Sequence, residues 1–233
     1  MITLAETGSF LDGFFGVALY RNEPDGSYLP SQRPIRRLGL ALEPFPGLGE
    51  WVRGERLDAL FLHRPWGLEK TQPPPDVGVL AYHLPFDETL TLGMNARLAG
   101  VLSMTGLMPL GKKDGRVIGM LGDVPNSGFQ NFRAVVEGVF GGLETVVTGR
   151  GEVARVAVVG AMTEALVLEA AERGADVYIT GQFRQPAERA VLATGIAVIE
   201  VGHERSERWG LRALAGVLRE RWAGLEVIVY SRS

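Results

Sequence analysis

The carboxyl-terminal part of the chain has the more regular pattern of apolar and polar positions. Four short apolar runs, "ARVAVVG", "ADVYITG", "IAVIEVG" and "LEVIVYS", are rich in β-branched residues, and three of them end on glycine. Between them "TEALVLEAAERG", "QPAERAVLATG" and "SERWGLRALAGVLRERWAG" space their apolar residues at helical intervals, with Gly174 as the stop of the first. The pattern predicts β-α-β-α-β-α-β from about residue 154 onward.

The first half is less regular but has the same rhythm. Residues 4–18 predict a weak helix, because Gly8, Gly13 and Gly16 interrupt it, and 20–35 read as surface loop or a hairpin about Asp25-Gly26. A strand near 36–42, a short helix near 47–56 and the buried strand "LDALFLH" form a β-α-β series. The rigid connection "TQPPPD" (71–76) leads to the strand "VGVLAYH". In "TLTLGMNARLAGVLSM" Leu90, Met94, Leu98 and Leu102 share one helical face. "PLGKKDGR" reads as a turn and "VIGMLGDVP" as a strand, followed by a helix over 129–140 with Phe129, Phe132, Val136 and Phe140 inward and the short strand "LETVVTG".

The expected fold class is therefore α/β: two intimately packed halves of mixed sheet flanked by helices, about 1–125 and 126–233, sharing one core as a single unit without a short internal repeat. With 233 residues, 46% of them hydrophobic, the chain can bury such a core. The absence of cysteine removes disulfides, thiolate nucleophiles and Cys-ligated zinc, so a metal would have to use His, Asp, Glu or water. A net charge of -3 makes no case for nucleic acid, and although 21 of the 24 cations are Arg, compositional bias is a sufficient reason. The amino-terminal stretch has no basic leader and no stretch is apolar enough for a membrane helix, so a soluble, cytoplasmic protein is expected.

Candidate chemistry lies at the ends of the apolar runs. The three histidines, His63, His83 and His203, each sit at or just beyond a strand-like run, where open α/β sheets gather ligands. Two of them have an acid four residues on, His83 with Asp87 and His203 with Glu207, a spacing that puts both groups on one face of a helix. Two imidazoles and a carboxylate suit Zn, Mn or Fe(II) with positions left for water or substrate. Ser206 reads as the N-cap of the helix beginning there. Trp66, Phe86 and Trp209 adjoin these motifs and either stack on a planar ligand or pack in the core.

"LHRPWG", "YHLPFDE" followed by "MNARLA", "DVYITGQ" and "GHERSE" occur in this order across the chain. Together they resemble the GTP cyclohydrolase I type 2 homologues, also called the NIF-three-like dinuclear metal-centre proteins. The resemblance implies a NIF-three-like fold and a site for two divalent metals, with His63, Asp87, His203 and Glu207 as retained ligands and His83 as an outer or structural group. Arg64 stands where the family has a second histidine, which implies one strong metal site on His63, His203 and Glu207 and a second that is weak or absent. On this reading Arg64 occupies the vacated position and pairs with Asp87 or Glu207. Gln182 stands where the family has Glu, and Gln185 where it has a nearby His, so two titratable groups are missing. Arg64 and Gln182 are the expected catalytic residues. The implied function is metal-dependent hydrolysis of a small nucleotide-like or phosphorylated substrate through metal-bound water. The alternative is a non-catalytic metal-binding scaffold or interaction protein. The family's toroidal hexamers imply a homohexamer.

Overall fold

The computed structural model describes residues 1–20, 26–149 and 151–231 except 71–72. The expected Asp25-Gly26 hairpin and the start of the 71–76 connection fall partly outside the described residues. The elements in chain order are α1 (Leu4–Phe15), β1 (Gly26–Leu29), β2 (Arg37–Ala41), α2 (Leu48–Gly54), β3 (Ala59–Leu62), β4 (Gly78–Ala81), α3 (Leu84–Leu90), α4 (Ala96–Val101), β5 (Thr105–Lys113) and β6 (Arg116–Gly128). They continue with α5 (Phe129–Phe140), β7 (Thr145–Val147), β8 (Glu152–Val159), α6 (Glu164–Glu172), β9 (Val177–Thr180), α7 (Glu188–Thr194), β10 (Ala197–Glu200), α8 (His203–Arg221) and β11 (Glu226–Val229).

Two compact units form, one of residues 1–86 with 211–233 and one of 87–210. The division therefore falls inside α3 and inside α8, whereas the sequence reading placed its boundary near 125, within what is one continuous strand, β6. The first unit carries a five-stranded sheet in the order β1-β4-β3-β2-β11, parallel except for β1. Leu48, Val52, Leu57, Leu60 and Val79 belong to its core. The second unit carries a six-stranded mixed sheet, β5-β6-β8-β9-β10-β7, with β8, β9 and β10 parallel and the other pairings antiparallel.

Four strands of each sheet follow one plan. The pair Leu38↔Ala59 in the first unit reappears 118 residues on as Val156↔Val177, and Gly26↔Ala81 reappears 119 residues on as Thr145↔Glu200. One hydrogen-bonded staple recurs with the plan. Asp58 Oδ2 accepts from the backbone N–H groups of Arg36 and Arg37 at 2.9 and 3.0 Å, and Asp176 Oδ2 accepts from those of Ala154 and Arg155 at 2.8 and 2.9 Å. In each case the carboxylate satisfies donors just before the parallel pairing with the next strand begins, at Leu38 and at Val156. The chain therefore contains a long structural repeat that its apolar pattern conceals.

Three local expectations are corrected. The weak helix at the amino terminus is a full one, because Thr3 and Glu6 form a reciprocal capping box and Gly16 closes the end in the left-handed region. The single helical face over 89–104 is two short helices: the buried Asn95 accepts from the N–H groups of Arg97 and Leu98, opening α4, and donates to the Thr91 carbonyl. Leu90, Leu98 and Leu102 are still buried, but Met94 is exposed. The expected turn "PLGKKDGR" shrinks to Asp114-Gly115, both at positive φ, joining Lys113 to Arg116 in a two-residue hairpin. By contrast α5 spans the predicted 129–140, with all four predicted residues buried. Among the described residues no helix is long and apolar enough to cross a membrane.

Candidate metal centre

β3 and β4 lie side by side in parallel register, Leu62 against Ala81, so the residues leaving their carboxyl ends emerge together. His63 is fully buried there, and its Nδ1 lies 3.1 Å from the Tyr82 carbonyl oxygen. A carbonyl only accepts, so Nδ1 carries the proton and Nε2 is the ring's ligand atom. Phe86 packs on the His63 ring at 4.8 Å and His83 lies 5.1 Å from it, centroid to centroid. Asp87 follows His83 by four residues, in the first turn of α3. One ligand atom each from His63, His83 and Asp87 lies within 4.8 Å of the others. Donors about 2.1 Å from one ion sit up to about 4.2 Å apart, so small side-chain adjustments bring this set onto a divalent ion, and the donor chemistry fits one. His83, an outer or structural group on the family resemblance, thus stands among the candidate ligand atoms. The signal was in the sequence: its spacing to Asp87 equals that of His203 to Glu207.

Arg64 follows His63, and its Nε lies 3.6 Å from Glu43 Oε2, an ion pair the sequence did not indicate. Pro65, Trp66 and Gly67 continue the loop.

The carboxyl ends of β9 and β10 in the second unit carry the other predicted residues. Helix α8 begins at His203, three residues before the Ser206 that was expected to cap it. Ser206 instead sits in the first turn, its hydroxyl donating to the His203 carbonyl at 2.7 Å. His203 Nε2 lies 2.9 Å from Glu207 Oε1, with the histidine 65% exposed and the carboxylate 1% exposed, as their spacing on one helical face requires. Gly202, just before, has φ +91°, and a Cβ there would fall on Glu144 Oε1, the oxygen that takes Arg205 at 2.9 Å. Only glycine lets the chain leave β10 and start α8 at that point. Gln182 is exposed on the turn after β9, where its backbone carbonyl accepts from the Thr180 hydroxyl at 3.4 Å. A Cβ on Gly181 would touch the His203 Cα at 3.7 Å, so this turn packs against the start of α8.

His83 with Asp87 and His203 with Glu207 thus occupy corresponding places in the repeated plan, each pair following the strand at the same position of its sheet. Of the predicted ligands, His63 and Asp87 belong to the cluster with His83, and His203 meets Glu207.

Residues 74–233 match the family described as Duf34/NIF3 (NGG1p interacting factor 3), which is more than half of the chain. The chain belongs to this family. The matched segment contains His83, Asp87, His203 and Glu207 but begins after His63 and Arg64. A Duf34/NIF3 relative from Deinococcus radiodurans, named GTP cyclohydrolase 1 type 2 homolog, is 31% identical over 156 residues, covering 66% of this chain and 59% of that protein, less than two thirds of its length. One of the same name from Allochromatium vinosum is 26% identical over 218 residues, covering 85% of this chain and 84% of the relative. The solved structure of TTHA1606 from Thermus thermophilus shares the fold, with a TM-score of 0.78 at 22% identity over 100% of this chain and 99% of that one.

Proposed function

We propose that this Duf34/NIF3 chain is a metal-dependent hydrolase of a small nucleotide-like or phosphorylated substrate. The observation that carries the reading is the grouping of His63, His83 and Asp87 at the carboxyl ends of adjacent parallel strands. The proposed ligands are His63, Asp87, His203 and Glu207 with His83 added, for one strong site of Zn, Mn or Fe(II) and a second that is weak or absent. When bound, the ion supplies a Lewis acid that makes water a nucleophile near neutral pH. The residues do the rest. The Tyr82 carbonyl fixes the His63 ring and its tautomer, and Phe86 covers that ring from water. The contact of His203 Nε2 with Glu207 Oε1 orients these two side chains on their helix face. Arg64 steadies anionic charge on the substrate, and Gln182 offers a hydrogen bond but no proton. A cytoplasmic homo-oligomer, a hexamer as the resemblance implies, completes the proposal.

Two features support a second reading, a metal-binding scaffold without turnover. Arg64 is tied to Glu43, and the loop after β9 carries the neutral Gln182. Elemental analysis of the purified protein followed by a hydrolysis screen of nucleotides and phosphoesters, with and without chelator, separates the two. The hydrolase reading expects turnover that falls with chelator and with His203→Ala. Turnover surviving either change eliminates it, and bound metal without turnover leaves the scaffold.

A further inference from the structure

Trp66 is 56% exposed, whereas Trp209 is buried and Trp51 and Trp222 pack against the rings of Tyr230 and Phe10. Its loop holds it out by construction. The Leu68 N–H donates to the Pro65 carbonyl at 3.1 Å, closing a β-turn with Trp66 and Gly67 in its middle, and Gly67 has the φ of +82° that a type II turn needs at its third position. Pro65 stiffens the entry, and the buried Leu68 anchors the exit in the core of the first unit. Burying an indole is worth about 2–3 kcal/mol, so a rigid turn that keeps one in water does not serve stability.

The indole stands against His83, centroids 5.1 Å apart and planes at 74°. In such a T-shaped pair either the indole presents its edge or the imidazole covers one indole face. In both cases at least one indole face is not covered by His83. Arg64, two residues earlier on the same loop, adds a permanent cation.

We propose that Trp66 is a stacking platform at the rim of the His63–His83–Asp87 cluster, taking the planar heteroaromatic ring of a ligand whose anionic end is held by the cluster. The ligand class is a ring-bearing anion, and Trp66 is the residue that selects it over an anion of the same charge without a ring. The assignment rests on reading the cluster as a metal centre.

The test is calorimetric titration of the full metal-loaded chain with adenosine 5′-monophosphate and, as the ring-less control, ribose 5-phosphate. Wild type, Trp66→Leu and Trp66→Phe are compared, with sedimentation and metal content measured on each. Stacking of a base on an aromatic side chain predicts affinity for the nucleotide at least about tenfold weaker in Trp66→Leu and restored by Trp66→Phe. Ribose 5-phosphate affinity, metal content and oligomeric state stay unchanged. Equal nucleotide affinity in wild type and Trp66→Leu, or wild type that does not distinguish the two ligands, overturns the proposal. So does an assembly that dissociates in Trp66→Leu, which would make Trp66 a contact between copies. If chelator leaves the Trp66-dependent nucleotide affinity intact, the stacking assignment stands and the metal-centre reading falls.

Discussion

Replacing His83 by alanine separates the cluster seen in the structure from the ligand set implied by resemblance, in which His83 is an outer group. Saturating a site with metal at a hundred times its dissociation constant stabilises the folded chain by about 2.7 kcal/mol. At about 2–4 °C per kcal/mol for a chain of this length, wild type should melt about 5–10 °C higher with metal than with chelator. Loss of an outer-shell partner costs about 10- to 100-fold in metal affinity, so loss of a donor from a three-donor cluster should cost about 100-fold or more. At the same metal concentration the stabilisation then drops to about 0.4 kcal/mol, a shift of about 1 °C. The metal-free melting point should move less than in His63→Ala, because His83 is only half-buried whereas His63 is fully buried. His63→Ala, in contrast, should also lower the metal-free value, since it strips the Tyr82 carbonyl of a buried donor, a loss of about 1–3 kcal/mol. The assay is thermal denaturation with Zn, with Mn and with chelator, alongside direct titration. A metal-induced shift in His83→Ala equal to that of wild type refutes the assignment.

Gly202→Ala should destabilise by about 1–3 kcal/mol, from left-handed strain and the displacement of Glu144 from Arg205, and lower the melting point by about 2–10 °C; a shift under about 1 °C refutes the close approach. Asp123 is held below the usual carboxylate range by its hydrogen bond and ion pair with Arg155, so whatever stability it contributes is present above its unfolded pKa of about 3.9 and is lost as pH falls through its lower folded value. Urea denaturation of Asp123→Asn should therefore differ from wild type near pH 7 and converge with it near pH 2, and a gap that stays constant over that range refutes the pairing.

Much of the candidate site was legible. His203 and Glu207 meet as predicted because i and i+4 on one helix fix their geometry without help from the rest of the fold. The placement of His63 beside the β4 end was foreshadowed by apolar runs that each end in histidine. What the sequence did not indicate there was the ion pair of Arg64 with Glu43, because it depends on which segments become neighbours. Trp66 could not be told from Phe86 or Trp209 by adjacency; only packing makes the latter two core residues and leaves Trp66 in solvent.

The sequence by itself determined the α/β class, nearly every element from β8 onward and the inward face of α5, since periodicity and glycine stops are local properties of the chain. Tertiary structure decided where those elements pair. It sends β11, the last member of an apparently continuous β-α-β series, to the first unit's sheet beside β2, and it reveals the second unit's repetition of the first only through strand register. A strand's apolar run reports that it is buried, while its partner is chosen by long-range contacts that leave no period in the sequence.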